Sequence, residues 1–220
     1  MQLPENVLGV HAARIESEYL ERLHKVRFGL DRGWRPPGLM LRGGTTDQRA
    51  QAMLRLKALA LSDNFFCSYV ALGPGLSLRD PQAVSRAAIK AAGFTNPIDA
   101  SDALTELQRL AATVRDSRRD GWVLLIDNVD RFEGSSRDRA LAYRELVRWM
   151  GGLRDEQYLG LFCVLAVTEN FEQSVASSEY TVVTRDLQNP EDRELLDAAQ
   201  GGITSLEHEL AVHELLVLEW

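Results

Sequence analysis

The strongest constraint on the fold is the apolar run from Trp122 to Ile126, which ends abruptly at Asp127. A strand that is apolar on both of its faces must be covered on both sides, which is typical of a parallel sheet flanked by helices. Open α/β sheets bind their ligands at the carboxyl ends of such strands. We therefore predict a buried strand over 122–127 with Asp127 at the ligand-binding edge. A core strand that ends in an ordinary polar turn is the alternative interpretation.

A second fully apolar run, 159–167, predicts another interior strand of the same sheet. Strand and helix patterns alternate along the chain, which favours a parallel, helix-flanked α/β fold. We predict strands at 39–41, 65–72, 122–127, 159–167 and 212–218, and helices at 8–31, 46–61, 81–93, 99–119 and 135–150. The expected fold is a five-stranded, mainly parallel sheet in one α/β domain over 1–220, with an N-terminal helix 8–31 and a core 37–220. The segment 171–188 shows no clear pattern.

Charge and composition bound the class of protein and its partners. The net charge is −7, but residues 1–60 carry +4 and residues 151–220 carry −11. An acidic chain lacks the positive field that non-specific DNA binding requires, so a protein partner is expected and DNA is not. No apolar run approaches the roughly 20 residues of a membrane span, and no secretory pattern is present, so we expect a cytoplasmic location. Cys67 and Cys163 each lie in an apolar run, which predicts buried free thiols.

The segment after the first predicted strand has the position of a phosphate-binding loop. That pattern requires a Gly, four residues and then Gly-Lys-Ser/Thr between a strand and a helix. Aligned from Gly43, and with Gly44 beside it, the pattern falls on Gln48, Arg49 and Ala50. Gln48 places a side chain where the backbone must approach phosphate, and Arg49 lacks the compact ammonium of lysine. Ala50 has no hydroxyl to bind Mg²⁺.

The same helix start has a pattern that satisfies its own backbone. Thr45 and Gln48 have the spacing of a capping box, in which each side chain accepts from the other residue's backbone N–H. Asp47 adds a carboxylate to the positive end of the helix dipole, where an anion would otherwise bind. We infer that this helix start repels a triphosphate.

Asp127 and Asn128, at the end of the central predicted strand, have the positions of the metal-binding and water-orienting residues of a nucleotide site. In phosphate-handling sheets the Asp at this position binds Mg²⁺, and the next acidic residue orients the attacking water. Here Asp127 is followed by Asn128, whose amide cannot take up a proton at neutral pH. The predicted nucleotide site therefore lacks its catalytic base.

These segments carry a family resemblance. PGLMLRGG entering a helix, then SYVAL, then GWVLLIDNVDRF and a long strand ending in a polar residue resemble the P-loop ATPases of the AAA+ group. Within that group the chain is most similar, over roughly 10–170, to the ATP-binding proteins of bacterial BREX phage-defence systems. The resemblance implies a metal-binding role for Asp127 and a sensor position at residues 168–170. It also implies a vestigial nucleotide-binding set: Gly43, Gly44, Gln48, Arg49, Ala50, Asp127, Asn128 and Asn170. The helical lid of AAA+ proteins is expected to be absent.

The sequence thus favours a non-catalytic pseudo-ATPase that acts as a protein-interaction or regulatory module and needs no cofactor. Its expected partner is a second copy or an intact AAA+ relative, bound through an apolar patch near the first helix or the C-terminal strand. A weak or partner-assisted ATPase that binds ATP and Mg²⁺ is the first alternative. A DNA-associated accessory protein that uses the basic N-terminal third is the second.

Overall fold

The computed structural model describes residues 5–30, 33, 35–36, 38–94, 103–114, 117–129, 142, 146, 149–150 and 158–168, with the backbone alone at 5–11, 103–104 and 112. The predicted strand 212–218, the segment 171–188, most of the predicted helix 135–150 and the candidate site residue Asn170 lie outside these ranges. In the part of the chain that the structure describes, no helix combines the length and the apolar character needed to cross a bilayer.

Helices and strands follow one another along the described chain in the order that the sequence predicts. The elements are α1 Glu5–Leu30, β1 Leu39–Arg42, α2 Thr46–Ser62, β2 Phe66–Ala71, α3 Pro81–Ala91, α4 Ala103–Thr113, β3 Trp122–Asp127 and β4 Leu161–Val167. The prediction that a helix extends from 99 to 119 is wrong at its C-terminal end. Ser117 donates both its N–H and its hydroxyl to the carbonyl of Val114, which closes a turn where the helix would have continued.

The described strands form one parallel sheet in the order β1-β4-β3-β2. The predicted interior position of β3 and β4 is confirmed. The described sheet has four strands where the sequence predicts five, and the fifth predicted strand lies outside the described residues. Dinucleotide-binding and flavodoxin-like sheets place the first strand beside the second, whereas in the described sheet β4 and β3 lie between β1 and β2. As a result, only β4 separates the end of β1 from the end of β3.

Two helical layers cover the sheet, which explains the apolar character of β3 on both faces. Val123 and Leu125 point into the core that β1, α1 and α2 close, and Leu124 and Ile126 point into the core closed by α3 and α4. Cys67 and Cys163 are buried and free, as predicted. Since the apolar side chains hold both layers against the sheet, the polar edge formed by the strand ends is where a ligand site can lie.

The close approach of Gly38 to β4 provides a test of this packing. A Cβ added at Gly38 would lie 2.6 Å from the carbonyl oxygen of Cys163, which is backbone and cannot rotate away. At Gly73 an added Cβ would meet no atom within 4 Å. We expect Gly38→Ala to lower the free energy of unfolding by about 1–3 kcal/mol and the control Gly73→Ala to change it by less than about 0.5 kcal/mol. Urea denaturation followed by circular dichroism measures both; equal effects would contradict the packing.

Candidate functional site

The candidate site begins where β1 ends. Gly43 and Gly44 have φ angles of 87° and 69°, in the left-handed region that glycine adopts without steric cost. The N–H of Gly43 donates to the carbonyl of Val167 at 3.0 Å, which fixes the loop beside the end of β4. The two glycines therefore turn the chain from β1 into α2 at the carboxyl edge of the sheet.

The first turn of α2 satisfies its own backbone, as the sequence predicts. The N–H of Gln48 donates to Thr45 Oγ1 at 3.2 Å, and the N–H of Thr45 donates to Gln48 Oε1 at 2.8 Å. The capping box is thus complete. Asp47 lies in the same turn and is exposed. Two backbone N–H groups at this helix start are consequently engaged within the chain.

Arg49 is the residue that the loop surrounds. Its side chain is only 4 % exposed, and its Nη1 donates to the carbonyl oxygens of Gly43 and Gly44 at 3.3 and 2.7 Å. A phosphate-binding nest has the opposite polarity, because its backbone N–H groups converge on an anion. This loop presents carbonyl oxygens to an internal cation. Ala50 follows on α2 and contributes no hydroxyl.

Asp127 lies on the other side of the same guanidinium. Its Oδ1 is 3.7 Å from Arg49 Nε, which is within ion-pair distance but beyond a hydrogen bond. Oδ1 also accepts from the N–H of Asn128 at 2.7 Å, and Oδ2 accepts from the hydroxyl of Tyr69 at 3.2 Å. The carboxylate is buried, and its charge is compensated by groups of this chain.

Asn128, the residue that follows β3, does not have a strand conformation. Its φ is 60°, a left-handed value that Asn adopts more readily than most residues. The side-chain Nδ2 lies 3.4 Å from the carbonyl of Leu72, just beyond β2, and the buried Oδ1 has no hydrogen-bond partner among the described residues. The predicted replacement for the catalytic base therefore points its amide nitrogen toward the backbone that follows β2.

A bound Mg²⁺ does not fit the side chains gathered here. Mg²⁺ requires near-octahedral oxygen ligands and usually keeps several waters. At this edge the described side chains offer one carboxylate, which already accepts two hydrogen bonds, and a guanidinium at 3.7 Å that would repel a cation. Among the residues that the structure describes, no group of three His, Cys, Asp or Glu side chains is placed to bind a metal.

Tyr69 is the site residue that the sequence analysis missed. Burial, together with the nearby Asp127 carboxylate, raises the pKa of Tyr69 to about 12. Its phenol is therefore a stable hydrogen-bond donor to that carboxylate at neutral pH. The register of β2 against β3 pairs Ala71 with Asp127 and so brings Tyr69 to this edge. Nothing in the local sequence gives that register.

Comparison with known proteins adds one finding to this geometry. Residues 78–180 match the family model described as BREX system ATP-binding protein BrxC/D. Over this segment, a little under half of the chain, the sequence carries the pattern of the BrxC/D family. The predicted similarity to the ATP-binding proteins of BREX systems is confirmed over this segment. The matched segment includes Asp127 and Asn128 and excludes the loop 43–50. Searches of curated proteins and of solved structures found no match.

The buried ion pair generates a stability prediction. Arg49→Met keeps much of the side-chain volume but leaves the buried Asp127 carboxylate without its cation. Removing one partner of a buried pair costs about 3–5 kcal/mol, and we expect a loss of that size in the free energy of unfolding. The double variant with Asp127→Asn, which has no buried charge, should be more stable than Arg49→Met by at least about 1 kcal/mol. If the losses in free energy of unfolding caused by the two single substitutions simply add in the double variant, as measured by urea denaturation, the pairing is contradicted.

Tyr69 generates a pH prediction. Since its pKa is raised from 10.0 to about 12 in the folded chain, unfolding releases a proton between these values. The contribution of Tyr69 to stability is therefore complete below pH 10 and is lost as the pH rises toward 12. At pH 10 an ordinary tyrosine is half ionised. We expect the ultraviolet titrations of the wild type and of Tyr69→Phe to show equal tyrosinate absorption at that pH; half a tyrosinate more in the wild type would refute the assignment.

Proposed function

We propose that this chain is a non-catalytic pseudo-ATPase that serves as a protein-interaction or regulatory module in BREX phage defence. The observation that carries the proposal is the position of Arg49, whose guanidinium lies between the loop carbonyls and Asp127. That is where a nucleotide site would hold its metal and phosphates. A second copy or an intact AAA+ ATPase is the proposed partner, and no cofactor is required.

The arrangement of the elements supports descent from a P-loop NTPase-like core of the AAA+ type. A glycine turn joins β1 to α2, and an Asp ends β3 at the same edge of the sheet. These are the positions that a phosphate loop and a metal-binding carboxylate occupy in P-loop enzymes. The match to the BrxC/D family includes the second position. The fold is thus suited to a nucleotide, while the side chains at these positions are not.

Each requirement of ATP hydrolysis is unmet, and for each there is a different reason. Phosphoryl transfer needs phosphates cradled by backbone N–H groups, a metal ion and an oriented water. The N–H groups of Thr45 and Gln48 are used in the capping box. The Asp127 carboxylate is paired with Arg49 and Tyr69. Asn128 cannot accept the proton of a water at neutral pH. Restoring one of these groups would leave the others disabled.

The matched family is described as ATP-binding, which favours a second candidate function. In this alternative the chain binds ATP and Mg²⁺ weakly, and a partner protein completes the site. Arg49 would then have to leave the carbonyls of Gly43 and Gly44 and turn toward the phosphates. Asp127 would become free for the metal. The alternative thus predicts a rearrangement of the loop on nucleotide binding.

Isothermal titration with Mg·ATP, paired with a phosphate-release assay, tests the proposal. We expect no binding heat at millimolar ATP and no turnover above the buffer background. Asp47→Asn is a useful control, because it removes an exposed carboxylate from the helix start and leaves the capping box and Arg49 in place. This variant should also bind no ATP. Micromolar binding by the wild type that is lost in a folded Arg49→Ala variant would refute the proposal and establish the assisted ATPase.

A further inference from the structure

The outer edge of β2 offers backbone groups that the described sheet does not use. β2 is the outermost strand at one edge of that sheet. The N–H groups of Phe66 and Leu72 donate toward β3. Backbone groups alternate in direction along a strand, so those of Cys67, Tyr69 and Ala71 point outward. None of these three residues has an outward backbone hydrogen bond to a residue that the structure describes.

The sequence of β2 lacks the usual features that prevent an edge strand from pairing with another chain. Natural edge strands are often very short, or carry charged side chains or proline. The six residues Phe66–Ala71 contain neither a charge nor a proline. At the opposite edge of the described sheet, β1 has four residues and ends in Arg42. β2 is therefore the described edge better suited to accept a further strand.

α2 presents exposed apolar side chains beside this edge. Leu54, Lys57 and Leu61, which we call the α2 stripe, follow one another at helical spacing on one flank of α2. The other flank, with Ala52 and Arg55, lines a groove shared with α1. α1 packs over β4, and α2 packs over β3 and β2, so the α2 stripe lies on the flank nearer to the edge. Leu54 and Leu61 are 54 % and 47 % exposed, and such exposure is typical of interaction surfaces.

Two contacts show which part of α2 is level with the middle of β2. Arg49 approaches the carboxylate at the end of β3, which is paired with the end of β2. Lys57 lies near Cys67 at the start of β2: burial raises the pKa of the Cys67 thiol to about 12, and the Lys57 charge opposes that rise. The part of α2 next to Leu54 is therefore level with Tyr69, the middle one of the outward-pointing residues.

A two-fold axis perpendicular to the sheet at Tyr69 would bring the β2 strands of two copies together as an antiparallel pair. Cys67 would then pair with Ala71 of the second copy, and each outward N–H and carbonyl would gain a partner. Because α2 lies over β2 and β3, the two α2 helices would be two strand spacings apart, about 10 Å. Packed helices have interaxial distances of about 8–10 Å, so the two α2 stripes would be in contact.

The charges on this flank favour a second copy of the chain as the occupant. Asp47 and Lys57 lie on either side of Leu54 along α2, and neither forms an ion pair with a residue that the structure describes. Antiparallel α2 helices that meet near Leu54 would bring Lys57 of each copy to Asp47 of the other. Two ion pairs would form around a contact between the two Leu54 side chains, so the surface is complementary to itself.

We propose that two copies of this chain join their β2 edges around a two-fold axis at Tyr69, with the α2 stripes packed together on one face of the continuous sheet. The inference rests on the proposed function and deepens it by naming the surface of the interaction module. The leucines exclude water from the helix contact and supply most of the affinity. The strand pairing and the ion pairs fix the register of the two copies.

Sedimentation equilibrium of the full chain over a micromolar concentration series tests the proposal. We expect a monomer–dimer equilibrium whose dissociation constant rises by about 10- to 100-fold in Leu54→Asp, because the change places charges at the centre of the helix contact. Leu20→Asp is the matched control, since it makes the same change at an exposed leucine of α1; this variant should dimerise as the wild type does. A wild type that stays monomeric, or equal effects of the two changes, would overturn the proposal.

Ala71→Pro tests the strand pairing separately. Proline removes an outward N–H and obstructs a second strand, while the hydrogen bonds between β2 and β3 remain, because the N–H of Ala71 is not one of them. We expect a dimer at least about tenfold weaker in a variant that circular dichroism shows to be folded. Amide exchange of the wild type gives a second measurement: the N–H of Tyr69 should exchange more slowly as the concentration rises. A dimer in which that N–H stays unprotected would contradict the pairing of the β2 edges.

Exchanging the charges tests the axis. Asp47→Lys sets two lysines against each other at each end of the helix contact, so we expect about a tenfold weaker dimer. Adding Lys57→Asp restores opposite charges and should return the dissociation constant to the wild-type value; failure of that rescue would exclude the proposed axis. A monomer that binds no ATP would overturn the dimer and leave the proposed function in place. A dimer that binds Mg·ATP would overturn the proposed function and leave the dimer.

Discussion

The candidate site depends on one buried interaction, the approach of the Arg49 guanidinium to the Asp127 carboxylate at 3.7 Å. A carboxylate that is removed from water must be paired, because an isolated buried charge is very unfavourable. In a nucleotide-binding sheet a metal ion meets that need, and the protein can then exchange ligands there. In this chain the compensating cation is covalently part of α2, so it is always present and cannot leave with a product.

The geometry around this pair follows from the same requirement. When Nε of Arg49 approaches Asp127, the buried Nη1 also needs acceptors. The left-handed glycines supply them by turning the carbonyls of residues 43 and 44 inward. The capping box then closes the helix start from the outer side. A loop organised in this way around a cation has the wrong polarity for a phosphate.

Local sequence signals predicted the helix-flanked parallel sheet with its two interior strands, and the capping box at the start of α2. β3 and β4 were predictable because a run that is apolar on both faces has few other positions in a soluble protein, and the capping box was predictable because it needs only residues 45–48. The end of α4 was not predictable, because a serine hydroxyl competes there with the helical hydrogen bonds. Tyr69 reaches the site through the register of β2 against β3. The orientation of Arg49 depends on which backbone carbonyls the folded loop leaves without a donor. Those are tertiary properties, to which spacing in the sequence gives no access.

A crystal structure of the chain grown with millimolar ADP and Mn²⁺ tests whether Arg49 takes the place of the metal. Anomalous scattering locates Mn²⁺, and difference density locates the phosphates. We predict that Arg49 Nη1 remains on the carbonyls of Gly43 and Gly44, that Asp127 remains paired with Arg49 and Tyr69, and that no Mn²⁺ signal appears beside Asp127. Mn²⁺ at Asp127, with Arg49 turned out of the loop and phosphate density at the start of α2, would contradict this prediction.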